Sequence, residues 1–89
     1  ASSAGSDPRP SLELWDWILR PGELRESEAH IPGTKELIHV REGRLTLNVD
    51  GHADTLEAGT AAVFVGDRPH AYGNETAADV RFTLAVLDP

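Results

Sequence analysis

Two histidines and one glutamate are the residues of this sequence best suited to chemistry. His30 lies just before a Pro-Gly turn, Glu36 opens a strand-like segment, and His70 follows a loop far downstream. Two imidazoles and one carboxylate make a facial set that holds a divalent ion and leaves coordination positions open. Imidazole suits Mn, Fe, Ni or Zn, and the carboxylate offsets part of the charge. Taken singly, each has a plainer reading. A histidine in a strand protein is most often a surface or hydrogen-bonded residue, and a glutamate opening a strand is most often solvated. The other histidines take those plainer readings. His39 alternates away from Glu36 and belongs on the outer face of its strand; His52 follows an Asp-Gly turn and belongs in solvent.

The elements that must position the three are short strands. Leu12 to Leu19 reads as a strand that is apolar on both sides: Leu12, Leu14 and Ile18 on one, Trp15, Trp17 and Leu19 on the other. A strand of that kind is covered on both faces, in a small domain often by a second subunit. Glu36 to Val40 is a second strand. Arg44 to Asp50 alternates with Leu45, Leu47 and Val49 inward, and Asp50-Gly51 then marks a tight hairpin. Thr60 to Val65 is a continuous apolar run of strand length, Gly66 to Pro69 a loop, and His70 to Asn74 places His70, Tyr72 and Asn74 on one face. Val80, Phe82, Leu84 and Val86 share a face of the last strand. No helical period runs through the chain, so the pattern predicts an all-β sandwich or barrel. Trp15 and Trp17 read as core or dimer-interface residues, Phe64 and Tyr72 as cavity-lining or core residues, and Asn74 as a backbone-bonding turn residue.

Composition narrows the function. The chain has 89 residues, enough for one domain, and no cysteine, which excludes disulfides and Cys-ligated zinc. Fifteen acidic residues against eight basic ones give a net charge of −7. Direct binding of nucleic acid by this chain is therefore not expected, because phosphate binding needs a basic face. No apolar run approaches membrane-spanning length, and a cytoplasmic location is the expectation. Residues 1–11, dominated by Ser, Gly and Pro, read as a flexible tail or interdomain linker, leaving 12–89 as the domain.

The spacing of the candidate residues resembles the two motifs of the cupin superfamily. Around the first group the chain reads His30-Ile-Pro-Gly-Thr-Lys-Glu36-Leu-Ile-His-Val-Arg-Glu-Gly43. His30, Glu36 and Gly43 fall on three positions of the first cupin motif, and Pro32 stands where the family has a second histidine. Around the other, Gly59, His70 and Asn74 match the second motif, whereas Val65 and Asp67 replace its usual Pro and Gly. The resemblance covers Leu12 to Val86. It implies an antiparallel, jelly-roll-like cupin barrel of six to eight strands, with its mouth near these motifs. It also implies a site in which His30, Glu36 and His70 converge on a small-molecule pocket with Phe64 and Tyr72. That site holds either no cofactor or one divalent ion. Antiparallel pairing of the strands that bear Glu36 and His70 is the expected way to bring those groups together.

The Pro-Gly-Thr segment and the Glu-Gly-Arg-Leu turn look like the C-terminal cupin domain of bacterial helix-turn-helix (XRE-like) transcription regulators. That resemblance implies a domain that senses a small-molecule effector and forms a homodimer, with DNA binding left to an N-terminal domain outside these residues. A stand-alone metal-dependent cupin enzyme, an isomerase or dioxygenase, is the alternative; a purely structural dimerisation module is a third. Arginine outnumbers lysine seven to one, which suggests a GC-rich bacterial source.

Overall fold

The computed structural model describes residues 12–88; the linker expected at 1–11 and the terminal Pro89 lie outside the described residues. Eight strands follow one another: β1 (Leu12–Leu19), β2 (Leu24–Ser27), β3 (Lys35–Glu42), β4 (Arg44–Val49), β5 (His52–Glu57), β6 (Ala61–Val65), β7 (His70–Gly73) and β8 (Val80–Leu87). They form two four-stranded antiparallel sheets. The first has the order β1-β8-β3-β6 and the second β2-β7-β4-β5. The sheets face each other without closing edge to edge, giving the jelly-roll-like architecture that the family resemblance implied.

Alternation puts the core between the sheets. In β3, Glu36, Ile38 and Val40 are buried while Lys35, Leu37 and His39 are exposed, and β8 turns Val80, Phe82, Leu84 and Val86 inward. Leu45 and Leu47 of β4 and Tyr72 of β7 meet them from the opposite sheet. The β4–β5 connection is the two-residue turn read from the sequence: Val49 pairs with His52, and Asp50 and Gly51 have φ of 54° and 81°. Positive φ at both central residues is what a type I′ hairpin requires. Gly43, between β3 and β4, has φ 80°, and a Cβ there would lie 2.6 Å from the Asp79 carbonyl oxygen. Only glycine fits that backbone.

Two elements differ from the sequence reading. The strand β2 carries a single apolar residue, Leu24, at the edge of its sheet, so no alternation announces it. The strands bearing Glu36 and His70 do not pair with each other, although their pairing was the expected way to bring those groups together. β3 pairs with β8 and β6, β7 with β2 and β4. Glu36 and His70 instead meet across the interior, each projecting from its own sheet into the space between the layers.

Candidate functional site

Each of the three candidate side chains is held by local structure. Glu36 projects inward from β3, in register with Phe64 on one side and Val86 on the other. His70 begins β7, immediately after the loop 66–69, and that loop is tied to the β4–β5 turn. The Asp50 amide donates to the Pro69 carbonyl at 2.9 Å, and Arg68 pairs with the Asp50 carboxylate at 2.9 Å. His30 rides on the loop between β2 and β3. Its amide donates to the Gly66 carbonyl, and the Gly66 amide donates to the Thr34 carbonyl, so the two loops are zipped together over Glu36. Gly66 makes this crossing possible, because a Cβ at that position would sit 2.8 Å from Glu36 Oε2.

The result is a tight cluster. His70 Nε2 lies 2.9 Å and His30 Nε2 3.3 Å from Glu36 Oε2, and the ligating atoms of all three lie within 4.8 Å of one another. The Glu36 and His70 side chains are fully buried, whereas His30 is partly open to solvent. Tyr72 Oη donates to Glu36 Oε1 at 2.6 Å. Glu36 Oε2 and His70 Nε2, despite their proximity, are not aligned as a hydrogen bond. His70 Nδ1 lies 2.8 Å from the Arg68 carbonyl. A carbonyl only accepts, so Nδ1 carries the proton and a neutral His70 turns the lone pair of Nε2 toward a carboxylate oxygen. That contact is repulsive unless Nε2 is protonated or a cation sits between the two groups.

The charge states follow from these contacts. Burial raises the pKa of Glu36, but the contact with His70, the Tyr72 hydrogen bond and the charge of both imidazoles outweigh it and hold the carboxyl below its ordinary value. Burial lowers His70, but Glu36 and the Arg68 carbonyl outweigh it and hold the ring above its ordinary value. Burial and the adjacent carboxylate both push the Tyr72 hydroxyl up, so it stays a donor.

The donor set fits a divalent ion. Ligand bonds of about 2.0–2.2 Å place neighbouring ligand atoms roughly 3–3.5 Å apart, close to the spacing between Oε2 and the two Nε2 atoms. Ligating histidines characteristically donate their second ring N–H to a backbone carbonyl, as His70 does to Arg68. Pro32, at the position of the family's second histidine, is exposed and has no donor side chain.

Beside the cluster is a cavity of about 260 Å³ whose wall takes in His30, Glu36, Tyr72, Trp15, Trp17 and Arg25. Phe64 is not on this wall; it packs edge-on against the His70 ring at 5.3 Å. Both tryptophans and Arg25 were missed as cavity residues. Trp15 and Trp17 read only as core or dimer-interface residues, and the wall they share with Glu36 appears only once β1 and β3 are seen flanking β8 in one sheet. Arg25 sits on the strand that no pattern revealed. Asn74 is the backbone-bonding residue expected: its Nδ2 donates to the Leu19 and Ala78 carbonyls and its Oδ1 accepts from the Thr76 amide.

A cupin-domain family model matches residues 15–87. The chain belongs to the cupin family. This cupin is 34% identical over 83 residues to the HTH-type transcriptional regulator SutR of Escherichia coli, covering 93% of this chain and 47% of SutR. It is 36% identical over 74 residues to the polyketide synthase CurC of Streptomyces cyaneus, covering 81% and 47% of the two chains. Among solved structures, the cupin domain of an XRE-family transcriptional regulator from Enterobacter cloacae matches at 36% identity. Its TM-score is 0.85, with 88% of this chain and 82% of that one covered. The cupin thus spans about half the length of the curated relatives it matches.

Proposed function

We propose that this cupin is the effector-sensing, dimerising domain of a cytoplasmic bacterial transcription regulator. In this reading one divalent ion (Mn, Fe, Ni or Zn) is held by His30, Glu36 and His70 beside a small-molecule pocket. The observation that carries the site is the convergence of two Nε2 atoms on one buried carboxylate oxygen, with the three ligand atoms within 4.8 Å of one another. The likeness to SutR and to the Enterobacter regulator domain supports the regulatory role. The ion would supply a Lewis-acidic point with open positions for a ligand atom. The chain's own residues do the rest: Tyr72 fixes the Glu36 carboxylate, Arg68 orients His70, and the tryptophans form an apolar wall. A net charge of −7 disfavours DNA contact by this chain, so in this reading that contact belongs to another domain of the whole protein.

Dimerisation has its own support. The outer face of the first sheet carries an apolar row across all four strands, Leu14–Ala85–Leu37–Val63, flanked by a row of Leu12, Leu87, Lys35 and Val65 that is apolar except at Lys35. Leu14 is 68% and Val63 65% exposed. A contiguous apolar patch on a small domain marks an association surface, and a second copy would cover it isologously. The enzyme reading has less support, since Pro32 leaves three side-chain ligands and no fourth.

The test is the reading frame containing these residues and the protein it encodes. A helical DNA-binding segment of about 70 residues before Ala1, and DNA affinity that changes when the divalent ion is stripped, are the expected results. A frame with no DNA-binding segment, or DNA affinity indifferent to both metal and small molecules, would sink the regulatory role.

A further inference from the structure

Five of the six described arginines lie within ion-pair distance of a carboxylate: Arg20 with Asp79, Arg41 with Asp16, Arg44 with Glu57, Arg68 with Asp50 and Arg81 with Glu42. Arg25 is the exception, in a chain where acidic groups outnumber basic ones by fifteen to eight. Carboxylates are abundant, so the lack of one at Arg25 is a property of its position. It lies on β2 opposite Tyr72, and Ser27, two residues on, lies opposite His70. Its side chain therefore shares the inward face with both site residues, and it lines the cavity beside Glu36. The guanidinium carbon sits 3.7 Å from the centroid of the Trp17 ring. Stacking uses the flat face of a guanidinium and leaves its edge, a fork of N–H donors matched to a carboxylate, unused.

We propose that Arg25 is the anion-binding residue of this cavity and that the ligand is a small monocarboxylate. The acid group sits on the Arg25 fork, and the apolar remainder packs against Trp15, Leu84 and Val86 of the same cavity. Size follows from the volume of about 260 Å³, just under the ~300–1,000 Å³ of drug-sized pockets. The single charge follows from Glu13, Glu26 and Glu36, which also line the cavity and would oppose a second acid group. The proposal rests on the reading of this cavity as a ligand site, and adds the chemistry of what it takes.

Both tryptophans of the chain line the cavity, so intrinsic fluorescence reports its occupancy. The experiment titrates butyrate and benzoate, and their neutral counterparts butyramide and benzamide, into the 89-residue chain with and without zinc, then repeats the series in Arg25→Gln and Arg25→Lys. Arg25 is exposed, so both variants should fold, as circular dichroism will show. The expected result is at least about tenfold tighter binding of each acid than of its amide, a preference that collapses in Arg25→Gln and survives in part in Arg25→Lys. Equal binding of acid and amide by the wild type, or an undiminished preference in Arg25→Gln, overturns the assignment of Arg25 and leaves the cavity as a ligand site. Binding of neither series overturns both.

Discussion

Replacing Tyr72 with phenylalanine removes one oxygen atom and little else. That oxygen makes the one aligned hydrogen bond received by the Glu36 carboxylate among the described residues, at 2.6 Å and fully buried. The ring keeps its packing against Phe82, so the cavity term is small. The loss is then that of a hydrogen bond to a charged, buried acceptor, about 1.5–3 kcal/mol. A domain this size has a total stability near the low end of about 5–15 kcal/mol. At ~4–8 °C per kcal/mol, the melting temperature of the metal-stripped protein should fall by roughly 6–24 °C. Scanning calorimetry at pH 7 measures it. A double-mutant cycle isolates the pair: in a Glu36→Gln background the acceptor is uncharged, and the same change should cost about half as much. In the metal-loaded protein, Tyr72→Phe should weaken divalent-ion affinity about 10–100-fold, as expected for a group that orients a ligand. A melting temperature lowered by less than ~3 °C with unchanged metal affinity would refute the coupling of Tyr72 to Glu36.

Three further outcomes follow from the same geometry. Gly66→Ala forces a methyl to within 2.8 Å of Glu36 Oε2, a carboxylate already pinned by Tyr72, so it should cost about 1–3 kcal/mol in urea unfolding and weaken metal binding; unchanged values for both would show that the loop gives way freely. The metal-free protein should lose stability at both ends of the pH scale. Glu36, held below its ordinary 4.5, contributes stability present above pH 4.5 and lost as pH falls through the lowered value; His70, held above its ordinary 6.5, contributes stability present below pH 6.5 and lost as pH rises through the raised value. Excess zinc should reverse the alkaline limb, because the ion needs a deprotonated imidazole, and parallel melting curves with and without zinc would contradict this. Finally, Leu37→Asp places a charge in the middle of the apolar row on the outer face and should convert a dimer to a folded monomer in sedimentation equilibrium; wild type already monomeric at tens of micromolar would count against the interface.

How much was legible in the sequence varies element by element, for physical reasons. The β4–β5 hairpin was plain because Asp50-Gly51 can adopt two successive positive φ angles at low cost, and β3, β4 and β8 were plain because one face of each is buried and alternation records it. The edge strand β2 left no such record: with Leu24 exposed and Arg25 and Ser27 polar, its inward face carries no apolar signal. Which strands pair is a property of the whole chain, and for that reason Glu36 and His70 were expected to be neighbours in one sheet, whereas they face each other from two. The three candidate ligands were found through motif spacing, but Gly66 and Arg25 were not. The need for a glycine at 66 appears only when the loop is seen crossing Glu36, and the isolation of Arg25 appears only when every other described arginine is seen paired.

The most direct test of the central claim, that His30, Glu36 and His70 form one cation-centred site, is elemental analysis of the purified chain after exposure to Mn, Fe, Ni and Zn in turn, with Glu36→Gln and His70→Ala alongside. One equivalent of at least one ion per chain, lost in both variants, is the predicted result, since neither an amide in place of the only carboxylate nor the loss of a buried imidazole leaves a complete facial set. Wild-type protein that retains none of the four ions, or a Glu36→Gln variant that retains a full equivalent, would contradict it.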